Sequence, residues 1–172
     1  MNITEWIIII SFFIIVSGTN IYLVWLFLRN AEKNRKVELL LKTHEMMMPL
    51  RLQAYERLIL FLERISIDML LTRHSRSGIT SRQLHTELLS SIRKEFEHNI
   101  SQQLYVSAKA WEMIKNARAE IVKIINLAAE STDPKAPGID LSKKILEDIS
   151  NIDKLPLQKA IDYIKQEAKE IF

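Results

Sequence analysis

LRLQAYERLILFLERI, residues 50–65, decides the fold. Leu50, Ala54, Leu58, Phe61, Leu62 and Ile65 recur three or four residues apart, which gathers them into one wide apolar stripe on a helix. Arg51, Glu56, Arg57, Glu63 and Arg64 take most of the remaining surface. A half-buried strand would alternate every second residue, and this stretch does not. A helix with so broad an apolar face needs partners to cover it, so the rest of the chain has to supply further helices.

The sequence C-terminal to the stretch does so. Ser66 or Asp68 is placed to cap a short helix over DMLLTR, and HSRSG reads as a loop. Thr80-Ser81-Arg82-Gln83 matches a capping box, with Thr80 as N-cap and Gln83 three residues on. Leu84, Leu88, Ile92 and Phe96 then repeat every fourth residue, with Leu89 alongside. Ser107 is placed to cap the next helix, whose Trp111, Ile114, Ile121, Ile125 and Ala128 share a side. STDPKAPG has two Pro and a Gly in eight residues and reads as a loop. A helix near 140–150 follows, and another starts at about Pro156, a favourable first helical position. The expected fold is all-α, with a helical bundle of about five helices over residues 49–172.

Toward the N-terminus, residues 30–48 carry good helix formers, and Pro49 predicts a kink or a fresh helix start. Before them, WIIIISFFIIVSGTNIYLVWLFL, residues 6–28, runs 23 residues without a charge. As a helix it extends about 34 Å, enough to cross a hydrocarbon core of about 30 Å. A cleaved signal peptide would have a shorter apolar region, a preceding basic residue and a small-residue cleavage site. Here Glu5 is the one charged side chain before the run, and no Ala-x-Ala follows. The expectation is an uncleaved anchor over 1–28, a basic juxtamembrane helix or linker over 29–48, and the bundle beyond.

Arg29, Lys33, Arg35 and Lys36 follow the run, with Glu32 alone against them. Cations stay on the cytoplasmic side, so the N-terminus is expected outside, the bundle in the cytoplasm, and these four side chains at the membrane surface. Trp6 and Trp25 lie near the two ends, where indoles favour the interface. Ser17, Gly18 and Asn20 interrupt the apolar run. Gly18 and Asn20 are candidates for a helix–helix contact, by close approach and by hydrogen bonding.

Composition narrows the function. With 3 Gly and 4 Pro in 172 residues, a many-stranded fold lacks its turns. No Cys excludes disulfides, thiol nucleophiles and thiolate metal sites. All 24 basic residues and 20 of the 21 acids lie beyond position 28, so the part after the anchor carries 24 − 20 = +4. Residues 29–99 hold 13 basic and 9 acidic side chains, and residues 100–172 hold 11 and 11. The excess sits next to the anchor, which suits anionic lipid. No basic stripe with stacking aromatics points to nucleic acid.

Three motifs carry sharper chemistry. HEMMMPL, residues 44–50, resembles a histidine phosphoacceptor box in His44, Glu45, Pro49 and Leu50. Three Met replace the middle of that box, and the 122 residues after Leu50 hold 2 Gly, too few for an ATP-binding domain. A flexible Met patch at a helix junction is the simpler reading. Glu95 and His98 form one Glu-x-x-His, half of a di-iron arrangement, without a second copy. There is no Gly-x-Ser-x-Gly elbow and no phosphate-cradling Gly loop. The stretch IRKEFEHNISQQ is dense in polar groups between apolar flanks. Glu95, His98, Asn99, Gln102 and Gln103 make either a network inside the bundle or a partner-binding face.

RLQAYERLILFLERI (51–65), IRKEFEHNISQQLYVS (92–107), AWEMIKNARAEIVKIIN (110–126) and GIDLSKKIL (138–146) together resemble an uncharacterised family of single-span proteins from the Bacteroidota. The resemblance implies a bacterial inner-membrane protein with a cytoplasmic helical domain, and implies no catalytic residues. The expected function is that of a non-enzymatic, membrane-anchored scaffold, accessory or assembly subunit. Its expected partners are the lipid bilayer and proteins, or further copies of itself. No cofactor, metal, nucleic acid or small-molecule substrate is expected. The alternative is a regulatory or sensing module that passes a signal from the span to the bundle.

Overall fold

The computed structural model describes residues 3–150, 152 and 156–171. Its elements are α1 (Ile3–Arg64), α2 (Ile67–His74), α3 (Ser81–Asn99), a short 3₁₀ turn (Ile100–Leu104), α4 (Ala108–Glu130), α5 (Gly138–Ser150) and α6 (Pro156–Ile171). Among the described residues there is no strand, and one isolated bridge pairs Thr80 with Pro137. The chain divides into two compact units, Met1–Met48 and Pro49–Phe172.

In the first unit the described side chains are exposed almost throughout. The segment Ile10–Glu32 is long and apolar enough to cross a membrane, with a mean hydropathy of 1.9 and none of its window buried. A signal sequence passes the same test of length and composition. Pro49 does not start a fresh helix: α1 is a single helix of 62 residues with Pro49 inside it. The ring removes one backbone donor there. Neighbouring Leu50 and Glu45 are exposed, so water can take the orphaned carbonyl.

In the second unit, the end of α1 together with α3, α4, α5 and α6 forms the bundle, and the short α2 adds a sixth helical segment. α4 packs against α3, α5 and α6. Ala110, Ala117 and Ala128 on α4 and Ala160 on α6 are fully buried, so their small side chains let the helices approach closely. Ile114, Ile121 and Ile125 fill the spaces between them.

The first stripe is buried at Ala54, Leu58, Phe61, Leu62 and Ile65. Leu50 departs from expectation and is exposed, and Tyr55 is buried with the stripe instead. Leu84, Leu88 and Ile92 are in the core, while Leu89, Phe96 and Trp111 are half-buried against it.

Helix starts follow the capping chemistry. Thr80 Oγ1 accepts from the Gln83 N–H, and Gln83 Oε1 accepts from the Thr80 N–H at 2.9 Å. Ser107 Oγ accepts from the Ala110 N–H at 3.0 Å. Ser66 occupies the N-cap of α2 without a side-chain bond, and Asp68 lies in the first turn.

The 131–137 loop is pinned to the start of α3. The Ser81 and Arg82 amides donate to the carbonyls of Ala136 and Pro134, at 2.8 and 3.2 Å. Gly138 donates to the Ile79 carbonyl at 2.8 Å, and a Cβ there would sit 3.0 Å from Ile79 Cγ1.

Candidate functional site

The stretch IRKEFEHNISQQ spans the C-terminal half of α3 and the 3₁₀ turn. A helix places Glu95, His98 and Asn99 on neighbouring ground, because residues three and four apart adjoin. They line a concavity of about 220 Å³ together with Arg57, Leu60, Phe61 and Arg64 of α1.

Glu95 is held by two cations, Arg64 at 3.3 Å and Arg73 at 3.7 Å. Arg73 also donates to the Arg64 backbone carbonyl. Asn99 is buried, and its amide donates to the Glu95 carbonyl at 2.8 Å, one turn back on its own helix. His98 is exposed.

Gln102 and Gln103 stand outside this concavity. Gln102 is buried and donates to Ser101 Oγ at 3.3 Å, while Gln103 is exposed. The five candidates therefore separate into three that share a groove and two that do not.

Phe61, one wall of the groove, begins a row of aromatic rings. Phe61 lies 6.0 Å from Phe96, and Phe96 lies 5.6 Å from Trp111 with the rings nearly parallel. The Arg118 guanidinium sits 4.0 Å from the centre of the Phe96 ring. The groove thus sets Phe61 and an exposed Leu60 beside an exposed imidazole and the Arg57 guanidinium, around one ion-paired carboxylate.

A second cluster gave no signal in the sequence. The Tyr55 hydroxyl donates to Glu167 Oε1 at 2.6 Å, and the Ser107 N–H donates to the same oxygen at 3.0 Å. The Ser107 hydroxyl donates to Glu167 Oε2. Arg51 bridges to the Tyr55 hydroxyl at 3.3 Å and to the Tyr105 carbonyl at 3.1 Å. The knot ties α1, the start of α4 and α6 together. Burial pushes the Tyr55 hydroxyl up to about 12, helped by its bond to Glu167. Burial alone would raise the Glu167 carboxyl; the Ser107 and Tyr55 hydrogen bonds and the Arg51 charge outweigh it and hold the group below the usual range.

A third feature is a cleft of about 310 Å³ between α3, α4 and the 131–137 loop, lined by Arg82, His85, Asn126, Glu130 and Thr132 among others. His85 Nε2 and Asn126 Oδ1 stand at hydrogen-bond distance, 2.8 Å.

In the first unit, Gly18 has no other atom within 4 Å of where a Cβ would stand. The Asn20 amide donates to the Val16 carbonyl of its own helix at 2.7 Å. Arg29 stacks over Trp25, 5.2 Å from the ring centre, while Arg35 and Lys36 are exposed. The side chains of Lys33 and Trp6 lie outside the described residues. His44 and Glu45 are exposed on the unbroken α1.

No curated protein and no solved structure matches the chain. One family model does, over residues 1–171, which is nearly the full length already seen to fold as one apolar helix and a bundle. The chain belongs to that family, a family of unknown function designated DUF7935.

Proposed function

We propose that this chain is a non-enzymatic, membrane-anchored scaffold or accessory subunit whose helical bundle binds protein partners at the cytoplasmic face of a bacterial inner membrane. The observation that carries the reading is Ile10–Glu32, long, apolar and with none of its apolar window buried, with Arg29, Lys33, Arg35 and Lys36 at its C-terminal end. A helix of that composition is stable in hydrocarbon and costly in water. The cationic end supports an orientation with the N-terminus out and the bundle in. Partner binding is supported by the groove of Arg57, Leu60, Arg64, Glu95 and His98. The resemblance to single-span proteins of the Bacteroidota supports the same setting.

The test has two parts. A C-terminal reporter active in the cytoplasm and silent in the periplasm is expected; the reverse would overturn the orientation. In-cell crosslinking, gentle-detergent purification and mass spectrometry should return one reproducible stoichiometric protein. Turnover of a substrate by the purified chain would instead make it an enzyme.

A second reading, a module that transmits a signal from span to bundle, is favoured by one observation. The span and the first bundle stripe belong to the same helix, Ile3–Arg64. Ligand- or phosphorylation-dependent shifts in bundle stability would select it.

A further inference from the structure

The scaffold reading makes no use of the cleft between α3, α4 and the 131–137 loop. Its volume of about 310 Å³ stands at the lower end of the range for small-molecule sites, so its ligand would be small. The walls are fixed before any ligand arrives. The Ser81 amide donates to the Ala136 carbonyl, the Ser81 hydroxyl lies 3.2 and 3.1 Å from the carbonyls of Ala136 and Pro137, and the Arg82 amide donates to the Pro134 carbonyl. Thr132 spends its hydroxyl on the Ala128 carbonyl at 2.8 Å. The bond between His85 and Asn126 joins α3 to α4 and uses one polar atom of each side chain. The second imidazole nitrogen and the other amide atom have no partner among the described residues.

Two opposite charges line this cleft. Arg82 is the second residue of α3 and Glu130 the last of α4, and the pinned loop brings these two helix ends together. Among the described residues neither side chain makes an ion pair or a hydrogen bond, with the other or with any third group. A molecule seated in the cleft can therefore meet a free cation and a free anion.

Neither charge serves its own helix. A helix dipole favours anions at its start and cations at its end. Arg82 puts a cation in the first turn of α3, which holds no acid, and Glu130 puts an acid in the last turn of α4, which holds no base. A bound carboxylate at Arg82 and a bound ammonium at Glu130 would offset both mismatches, with the anion beside the start of α3 and the cation beside the end of α4. The guanidinium fork matches a carboxylate with two parallel N–H donors, and the Glu130 carboxylate accepts from an ammonium. A ligand with one charge would suit one of these groups and face a like charge on the other.

We infer that this cleft binds a small zwitterion, an α-amino acid with its carboxylate at Arg82 and its ammonium at Glu130. His85 and Asn126 supply the remaining polar atoms of the lining, for the ligand's own side chain. The site lies wholly within the second unit and depends neither on the membrane anchor nor on a protein partner.

Isothermal titration of the full chain in detergent, with each of the standard α-amino acids in turn, tests the assignment. At least one should bind saturably, one molecule per chain. Its amide, which lacks the carboxylate, and its N-acetyl derivative, which lacks the ammonium, should each bind at least about tenfold more weakly. Arg82→Gln and Glu130→Gln should each weaken the amino acid by a similar factor. Both side chains are exposed and oppose their helix dipoles, so neither substitution should lower the melting temperature of the ligand-free chain. The two derivatives read the same charges on the unaltered protein, whatever the variants do to folding. Binding of no amino acid, equal affinity for either derivative, or unchanged affinity in either folded variant would each overturn the site.

Discussion

Glu167 carries more of the bundle's order than its position in QEAKEI suggests. Three donors from Tyr55 and Ser107 converge on one carboxylate, and hydrogen bonds to a charged acceptor are the stronger kind. Glu167→Gln is expected to cost about 2 kcal/mol at neutral pH, because at least one donor loses its charged acceptor. Denaturant titration checks it, and a change near zero would mean water replaces the carboxylate. The acid limb gives an independent check. The folded carboxyl is held below its usual range, so the unfolded chain binds the proton first as pH falls. Its stabilisation is complete above the unfolded value of about 4.3 and is lost as pH drops through the lower folded value. The Glu167→Gln variant should therefore show a flatter stability curve in that window. Tyr55 acts at the other end of the scale. With its hydroxyl pushed up to about 12, the folded chain resists ionisation that the unfolded chain undergoes near 10, and stability falls between those values. Tyr55 should give its phenolate absorbance late, and Tyr55→Phe should remove that step.

At the level of the helices, burial ranks the aromatic ladder differently from sequence spacing. Phe61 and Trp111 occupy equivalent places in their apolar stripes, yet Phe61 is 1% exposed and Trp111 is half-buried. Phe61→Ala should cost about 4 kcal/mol, since the cavity lies where α1 meets α3 and has little room to collapse. Trp111→Ala should cost clearly less, because part of its surface already faces water. Thermal melts of the two variants decide the order, and equal losses would show that Trp111 is more deeply seated than its exposure indicates. Helix α3 has a separate weak point at its start. Thr80 and Gln83 satisfy two orphan donors reciprocally, so Thr80→Ala should remove about 1 kcal/mol. The backbone bonds from Ser81 and Arg82 to the 131–137 loop remain in that variant and keep the loss from growing.

For the whole molecule, what was legible in the sequence was what is local. The three-to-four spacing placed the core faces, and Thr80, Ser107 and Pro156 marked helix starts, because caps and periodicity act within one turn. Pro49 does not end α1, because the carbonyl left without its donor belongs to exposed Glu45, where water can take it. Tyr55 and Glu167 were silent because 112 residues separate them, and no local pattern announces a bond at that distance. The candidate groove was half legible. Glu95, His98 and Asn99 share a helix face, but Arg57 and Arg64 reach it through the fold. Among the described residues, every buried apolar side chain, from Ala54 to Ile164, belongs to the second unit. The core therefore contains all the apolar burial that folding requires, and residues 49–172 should fold when expressed alone. Circular dichroism should show a helical spectrum and a single cooperative melt. Adding residues 29–48 should increase the helical signal while shifting the melting temperature by no more than a few degrees, since that segment buries little. A non-cooperative melt of 49–172 would show instead that the bundle depends on α1 upstream of Pro49, and would turn attention from the groove to the long helix as the part of the chain that organises the rest.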